Sequence, residues 1–221
     1  MTLARAALVG AWLLAPAAAD AAPSRPFDEI KPAIYARKDW GAELSDRIPL
    51  DKVKTRIVVH HTAFFVSDAV KAMGPKDGWK AAIAHAHSAQ SLHKRIRGWS
   101  DVGYHYMIDW EGRILDGRPV DRLGAHTERN NRGSIGVVLM GNFSRERPTD
   151  KQLARLKVLL RWLLAVHRIS PKAIDGHHHL KYTACPGKYL NDPWDPLTPL
   201  RTIKTALVIE TIQANPATRN R

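Results

Sequence analysis

The sequence predicts a single mixed α/β domain that extends from about Ala36 to Leu200. Apolar runs typical of strands alternate along the chain with segments whose apolar residues recur at the three-to-four spacing of helices. The chain has 221 residues, which suits one sizeable domain with terminal tails. Hydrophobic residues make up 44% and charged residues 25%, a balance that excludes wholesale disorder.

Strand patterns occur in three places. They are residues 57–59, followed by His60 and His61; residues 104–109 and 113–115, joined as a hairpin by a Glu-Gly turn; and residues 134–140. The last segment is nearly all apolar, as expected of a central strand that is covered on both faces.

Helix patterns also occur in three places. They are residues 79–97, closed by Gly98; the segment after Thr149, closed by Ser170 and Pro171; and residues 200–212. Thr149 and Gln152 have the spacing of a capping box, and leucines at 153, 156, 160, 163 and 164 form an apolar stripe behind it. We assign residues 201–221 to a C-terminal helix and tail.

The first 22 residues have the pattern of a secretory signal peptide, with a positive Arg5, an apolar run over residues 6–14 and alanines that offer a cleavage site. A buried N-terminal helix is the alternative interpretation. The apolar run is shorter than the ~20 residues that a membrane-spanning helix needs, and no other stretch is long enough. We therefore expect an exported protein, periplasmic or secreted, without a transmembrane segment and with a linker over residues 23–35, where three prolines lie.

The chain is strongly basic: Lys and Arg number 34 against 21 Asp and Glu, and the formal net charge is +13. Such a charge predicts attraction to a polyanion, whether nucleic acid, an anionic membrane or a charged cell wall. The basic residues are scattered and do not form a recognisable nucleic-acid module. We therefore favour adhesion to an anionic wall or outer-membrane surface and expect no nucleic-acid partner.

Histidine and cysteine mark the candidate site. Among 11 histidines, His60 and His61 end a predicted strand, and His177 opens a triplet that lies eight positions before the one cysteine, Cys185. Two imidazoles and one thiolate can hold a tetrahedral zinc whose fourth position stays open for water. Zinc would also account for the unpaired thiol of an exported chain. The alternative is that the histidine triplet belongs to a solvated loop.

Six short motifs then occur in one order along the chain. They are residues 37–42 (RKDWGA), 58–62 (VVHHT), 98–105 (GWSDVGYH), 124–127 (GAHT), 134–136 (SIG) and 185–187 (CPG). Together they resemble the type 2 N-acetylmuramoyl-L-alanine amidases, which include the peptidoglycan recognition proteins and T7-type lysozyme. The resemblance spans about Arg37 to Leu190. It implies an α/β fold with a central mixed β-sheet flanked by helices and a zinc groove at one sheet edge.

The resemblance also implies roles for individual residues. It makes His60, His177 and Cys185 the zinc ligands, although strand alternation alone cannot choose between His60 and His61. Tyr104 matches the family's catalytic tyrosine, whose phenol donates a hydrogen bond to the oxyanion, and Thr183 falls where members carry Thr or Lys. Without the resemblance, Tyr104 is better interpreted as a core aromatic residue.

Two further positions are implied to bind substrate. His126 matches a position that contacts substrate, and Asn131 aligns with an Asn near the muropeptide, although both are equally compatible with local turns. One departure is Val138, which stands where the cytoplasmic anhydro-muropeptide branch carries a Glu. That branch also carries Asp in place of Cys185, so the cytoplasmic role is disfavoured.

The function that follows is zinc-dependent hydrolysis of the amide between the lactyl group of N-acetylmuramic acid and the L-alanine of peptidoglycan. The alternative is a module that binds peptidoglycan without catalysis. The joint presence of Tyr104 and all three implied ligands favours the enzyme. Peptidoglycan is the expected partner, and the oligomeric state is open, with a monomer favoured.

Overall fold

The computed structural model describes residues 30–43 and 47–214. The predicted signal peptide, most of the predicted linker and the end of the predicted tail lie outside the described residues. Six strands are described: β1 (Ile34–Tyr35), β2 (Arg56–His61), β3 (Tyr106–Ile108), β4 (Ile114–Asp116), β5 (Ser134–Leu139) and β6 (Ile174–Gly176). The α-helices are α1 (Asp68–Lys71), α2 (Pro75–Ser91), α3 (Asp150–His167), α4 (Lys188–Asn191) and α5 (Pro199–Ala214).

The strands form one mixed sheet in the order β1-β4-β3-β5-β2-β6. The β3–β4 pair is antiparallel, and the other neighbouring strands run parallel. In the β2–β5 pair, His60 lies opposite Val138. β6 is the outer strand beside β2, so β2 and β6 end at the same corner of the sheet. The predicted fold class, a mixed sheet flanked by helices, is confirmed.

Helices cover both faces of the sheet. On one face, Leu156 and Leu160 of α3 pack in a cluster with Ile135 and Val137 of β5. On the other face, Ala82 and Ala86 of α2 pack in a cluster with Val138 and Met107. Successive residues of β5 therefore enter opposite cores, as strand geometry requires. The expectation of a central strand buried on both sides is confirmed, since every residue of β5 is buried.

The amino end of α3 has the predicted capping box. The Thr149 hydroxyl accepts from the N–H of Gln152 at 3.1 Å, and the Gln152 side chain accepts from the N–H of Thr149 at 3.1 Å. The Gln152 amide also donates to the carbonyl of Met140 at 3.0 Å, which joins the start of the helix to the end of β5. The helix ends just before Ser170, because Arg168 adopts a left-handed conformation with φ +55°.

Several elements differ from the sequence prediction, and β6, α1 and α4 are not predicted at all. α2 begins at Pro75, ahead of the predicted start, because proline suits the first helical turn, and its last turns continue as a π-helix over Leu92–Ile96. β1 lies in the predicted linker and pairs with β4. α5 buries Leu200, Ile203 and Leu207 in the core beside α3, so this helix packs as part of the domain. Within the described ranges, no helix is long and apolar enough to cross a membrane.

Candidate metal centre and its pocket

Three side chains from separate parts of the chain meet where β2 and β6 end. His60 is near the end of β2, His177 directly follows β6, and Cys185 lies in the loop before α4. Each offers one ligand atom, and these atoms all lie within 4.8 Å of one another. The Nδ1 atom of His60 is 3.5 Å from the Cys185 Sγ atom. The pairing of two parallel strands thus places both imidazoles beside the thiol.

The structure separates the two adjacent histidines of β2. His60 turns its ring toward Cys185, whereas His61 turns toward the core beside α3, where its Nδ1 atom accepts from the N–H of Phe143 at 3.1 Å. Adjacent strand residues face opposite sides of a sheet, so only one of the two can join the cluster. His61 holds the segment after β5 and lies outside the group formed by His60, His177 and Cys185.

Two hydrogen bonds, one from the backbone N–H and one to the carbonyl of Cys185, hold the loop that carries this residue. The Cys185 N–H donates to the Thr183 hydroxyl at 3.2 Å, and the Cys185 carbonyl accepts from the N–H of His178 at 3.0 Å. Gly187 has φ +92°, and a Cβ atom there would lie 2.3 Å from the backbone of Phe143. Glycine is therefore required for the loop to pack against the segment after β5.

Burial controls the protonation of the cluster. It lowers the pKa of His60 well below 6.5 and, together with Lys181, lowers the pKa of His177 to about 4. Both imidazoles are therefore neutral at neutral pH, the form that binds a metal. Burial also raises the pKa of the Cys185 thiol to about 12. A cation between the three side chains would reverse that effect, because it stabilises the thiolate.

An unpaired nitrogen supports the fit of a metal ion. The Nε2 atom of His177 is buried and has no hydrogen-bond partner among the described residues. Such atoms are rare, because burying a polar group without a partner costs about 1–3 kcal/mol. A metal ion bound through this nitrogen would satisfy it, and two imidazoles with one thiolate suit a cation that prefers nitrogen and sulfur ligands.

Tyr104 borders the cluster on the side of β3. The centroid of its ring lies 5.3 Å from that of His60 and 5.4 Å from that of His93. Burial and the neighbouring Cys185 raise the pKa of its phenol, so the group stays protonated and can donate a hydrogen bond. Thr183 retains the same capacity, because its hydroxyl oxygen accepts from Cys185 and leaves the O–H available.

The two residues implied to bind substrate have contacts within the protein. The Asn131 Oδ1 atom accepts from the N–H groups of His126 and Thr127, both at 2.8 Å, and so fixes the loop between them. The Nδ1 atom of His126 lies 3.0 Å from the His60 Nε2 atom and 3.0 Å from the Thr127 hydroxyl. The structure therefore places His126 against His60, one of the three clustered residues, and Asn131 fixes the backbone of His126.

An open pocket of about 390 Å³ adjoins the cluster. It is lined by Arg97, Trp99, Ala125, His126, Thr127, Glu128, Asn131, His177 and Lys181. The Arg97 guanidinium lies 5.2 Å from the centre of the Trp99 ring, and Lys181 pairs with Glu128. A larger pocket of about 620 Å³ lies beside Trp162 and shares no residue with the cluster. The pocket next to His177 can therefore present a ligand to the candidate metal centre.

His93 is a site residue that the sequence analysis missed. Its Nδ1 atom accepts from the N–H of Gly103 at 3.0 Å, directly before Tyr104, and its ring packs 4.6 Å from that of Trp99. The residue lies in the π-helical segment Leu92–Ile96, a geometry that frequently occurs at functional sites. A single histidine in a helical pattern carries no signal for this role.

The fold and site define a mixed α/β domain in which a His-His-Cys cluster and a tyrosine adjoin a surface pocket. Comparison with known proteins identifies the group to which this domain belongs. The family model described as N-acetylmuramoyl-L-alanine amidase matches residues 51–188, and the chain belongs to this family. The family expected from the motifs is confirmed.

Curated relatives carry two kinds of name. Peptidoglycan-recognition protein LB of Drosophila melanogaster is 29% identical over 161 residues, which cover 70% of this chain and 64% of that protein. The N-acetylmuramoyl-L-alanine amidase of Homo sapiens is 32% identical over 165 residues, which cover 73% of this chain and 27% of that protein. The chain thus spans less than two thirds of either relative.

Solved structures give the same two groups. N-acetylmuramoyl-L-alanine amidase LysC from Clostridium intestinale URNW has a TM-score of 0.61 at 26% identity, covering 80% of this chain and 98% of that chain. Peptidoglycan recognition protein-LE, in complex with tracheal cytotoxin (monomeric diaminopimelic acid-type peptidoglycan), has a TM-score of 0.62 at 28% identity, covering 71% of this chain and 88% of that chain. Amidases and recognition proteins therefore share this fold.

Proposed function

We propose that the chain is a zinc-dependent N-acetylmuramoyl-L-alanine amidase. It hydrolyses the amide that joins the lactyl group of N-acetylmuramic acid to the L-alanine of the stem peptide in peptidoglycan. The observation that carries this proposal is the convergence of His60, His177 and Cys185 beside Tyr104, at the edge of an open pocket. Membership of the amidase family supports the same reaction.

The three ligands would hold the zinc ion and leave one coordination position open. Zinc prefers nitrogen and sulfur ligands in a tetrahedral arrangement, and catalytic sites supply three protein ligands. When bound, zinc supplies Lewis acidity toward the scissile carbonyl and acidifies a water molecule. Because the pKa values of His60 and His177 are lowered by burial, neither imidazole needs to lose a proton before it binds the metal at neutral pH.

Tyr104 and Thr183 are proposed to stabilise the charge that develops on the substrate oxygen. Tyr104 stays protonated, since burial raises its pKa, and its phenol can donate to the oxyanion. The Thr183 O–H offers a second donor, from the loop of Cys185. Val138, opposite His60 in the sheet, is apolar and buried, so it cannot serve as a general base.

The pocket supports a substrate that carries negative charge. Arg97 and Lys181 line it, Glu128 pairs with Lys181 and leaves Arg97 as the unmatched charge among the lining side chains, and Trp99 offers an aromatic face. Recognition protein-LE, whose title names a bound monomeric diaminopimelic acid-type peptidoglycan, has the same fold as this chain. We extend that ligand class to this protein and propose that Arg97 faces a carboxylate of the stem peptide. The net charge of +13 fits attraction to an anionic wall.

Export to the periplasm or the outside of the cell is also proposed, from the signal pattern of the first 22 residues. Determining the amino terminus of the mature protein after expression in a bacterial host tests this. We expect cleavage within or just after residues 17–21 (AAADA). A full-length protein retained in the cytoplasm would contradict export without affecting the proposed chemistry.

The alternative is a recognition module that binds peptidoglycan without cutting it, as the names of several relatives allow. The complete cluster with Tyr104 favours the enzyme. The discriminating experiment follows release of soluble material from purified sacculi by the zinc-loaded protein, after chelation, and after zinc is restored. We expect release that chelation abolishes and zinc restores. Retention on sacculi with no release, at one bound zinc per chain, would establish the recognition module instead.

A further inference from the structure

The two rings of His60 and His126 are joined through nitrogen atoms. The Nε2 atom of His60 lies 3.0 Å from the Nδ1 atom of His126, and the ring planes cross at 79° with centroids 5.0 Å apart. Both residues are buried, with exposed fractions of 1% and 7%. This contact lies on the side of His60 that is opposite Cys185, since Nδ1 of His60 is the atom 3.5 Å from the sulfur.

The chemistry of imidazole determines the direction of the hydrogen bond. When Nδ1 of His60 binds a metal, the ring stays neutral only if Nε2 carries the proton. That N–H has the Nδ1 atom of His126 in front of it, so His126 accepts and must carry its own proton on Nε2. A ligand imidazole whose second nitrogen donates to a fixed acceptor is held in one tautomer and one orientation.

The surroundings of His126 fix its ring in place. A Cβ atom on Gly136 would lie 2.5 Å from the ring, and one on Gly124 would lie 2.6 Å from it, so both glycines leave the space that the ring occupies. Asn131 anchors the backbone through the N–H groups of His126 and Thr127. The ring therefore sits in a cradle made of backbone.

Neither ring nitrogen of His126 is directed at a substrate in the pocket. Nδ1 faces His60 and the Thr127 hydroxyl, and Nε2 is buried. The surface that His126 contributes to the pocket is thus not a ring nitrogen. A direct polar contact with substrate, which the motif resemblance implies, does not match this placement.

We infer that His126 is a positioning residue that orients His60 for metal binding, through the hydrogen bond from Nε2 of His60 to Nδ1 of His126. This inference rests on the proposed function, because it needs a metal at His60, His177 and Cys185. It reassigns His126 from contact with substrate to control of a ligand. Its loss is expected to weaken zinc affinity, since removing the acceptor behind a ligand histidine typically costs ~10–100-fold.

The test compares two substitutions that differ in one property. His126→Asn keeps an acceptor oxygen near the position of Nδ1, whereas His126→Leu keeps bulk and removes the acceptor. The matched control is His85→Asn, at a half-buried histidine whose Nε2 atom contacts the Thr62 hydroxyl at 2.8 Å and not a ligand. Zinc affinity is measured by competition with a chromophoric chelator, and kcat and KM are measured separately on a soluble muropeptide.

We expect His126→Leu to lose ~10–100-fold in zinc affinity, His126→Asn to recover most of that loss, and His85→Asn to bind zinc as the wild type does. KM at saturating zinc should change little in all three. Unchanged zinc affinity in His126→Leu together with a raised KM would overturn the inference and restore the substrate contact. A wild-type protein that binds no zinc would instead contradict the proposed function.

A second measurement does not depend on the variants folding. In the zinc-loaded wild-type protein with ¹⁵N-labelled histidine, nuclear magnetic resonance assigns the tautomer of each ring. We expect a protonated Nε2 on His60, a protonated Nε2 on His126, and a scalar coupling across the hydrogen bond that joins them. A proton on Nδ1 of His126 would overturn the inference, because that nitrogen could then not accept.

Discussion

The Nδ1 atom of His60 lies 3.5 Å from the Sγ atom of Cys185, although 125 positions separate the two residues. The sheet makes this contact possible. β2 carries His60 to the same corner at which β6 delivers His177, and the loop that follows returns Cys185 to it. The cluster therefore depends on strand pairing that is distant in sequence, and its three members are expected to fail together.

Substituting one of the three proposed ligands tests whether they bind zinc together. We expect Cys185→Ser and His177→Ala each to lower zinc from about one per chain to near zero and to abolish hydrolysis, because three protein ligands are the minimum of a catalytic zinc site. Elemental analysis of the purified variants, with release of soluble fragments from sacculi, measures both.

The neighbouring histidines are the controls for that experiment. His178 contributes its backbone N–H to the Cys185 carbonyl, and His61 accepts from the N–H of Phe143. His178→Ala should keep most of the zinc and the activity. His61→Ala should lose stability and keep its affinity for zinc. Loss of zinc from His61→Ala but not from His60→Ala would reverse the ligand assignment.

Replacing the Tyr104 hydroxyl separates catalysis from metal binding. Tyr104→Phe keeps the ring that packs near His60 and His93 and removes the donor. We expect unchanged zinc content and a fall in kcat of about 10²–10³, the usual cost of losing one oxyanion donor. Steady-state kinetics on a soluble muropeptide measure this, and an unchanged kcat would show that the phenol takes no part in the reaction.

Arg97 is the residue whose substitution tests whether the pocket recognises negative charge on the substrate. It is exposed at the pocket beside Trp99, so an ion pair with substrate should contribute about 0.2–1 kcal/mol, up to roughly fivefold in affinity. Arg97→Ala should weaken binding of a muropeptide with a free side-chain carboxylate and leave its amidated analogue unaffected. Titration calorimetry at two salt concentrations measures the difference, and equal losses for both ligands would contradict a charge contact.

Buried neutral histidines predict the pH dependence of stability in the metal-free protein. Burial lowers the pKa of His85 and His93 from 6.5 to about 4 and that of His105 to about 3. The unfolded chain therefore takes up protons first as the pH falls below 6.5, and the folded state loses stability down to about pH 4 for His85 and His93 and about pH 3 for His105. Above pH 7 these groups should cause little change.

Urea unfolding in the presence of a chelator, at several pH values, checks this expectation. The free energy of unfolding should fall steadily below pH 6.5, and His85→Asn should show a smaller fall than the wild type because one titrating group is gone. A stability that rises on acidification would contradict the assignment of these histidines as neutral in the folded state.

The long elements could be predicted from sequence because their signals are local. The apolar run of β5 and the capping box at Thr149 each lie within a few neighbouring residues, and the structure contains both. β1 and β6 could not be found in this way. They have 2 and 3 residues, too few to show a period, and they exist only through pairing with β4 and β2.

The candidate site, too, could be predicted from the sequence only in part. Residue types and the family motifs pointed to His60, His177 and Cys185, and the structure brings their ligand atoms together. The partner of His126 could not be read from the sequence, because the contact with His60 spans 66 positions and depends on the space beside two glycines. A motif identifies the residues at a site, whereas the fold decides which of their atoms face one another.

The most direct test of the central claim is identification of the bond that is cut. Sacculi are digested with the zinc-loaded protein in water enriched in ¹⁸O, and the products are analysed by mass. The proposed function predicts stem peptides with a free L-alanine amino group and one ¹⁸O atom in each lactyl carboxylate, both absent after chelation. Cleavage of another bond, or tight binding without any labelled product, would contradict it.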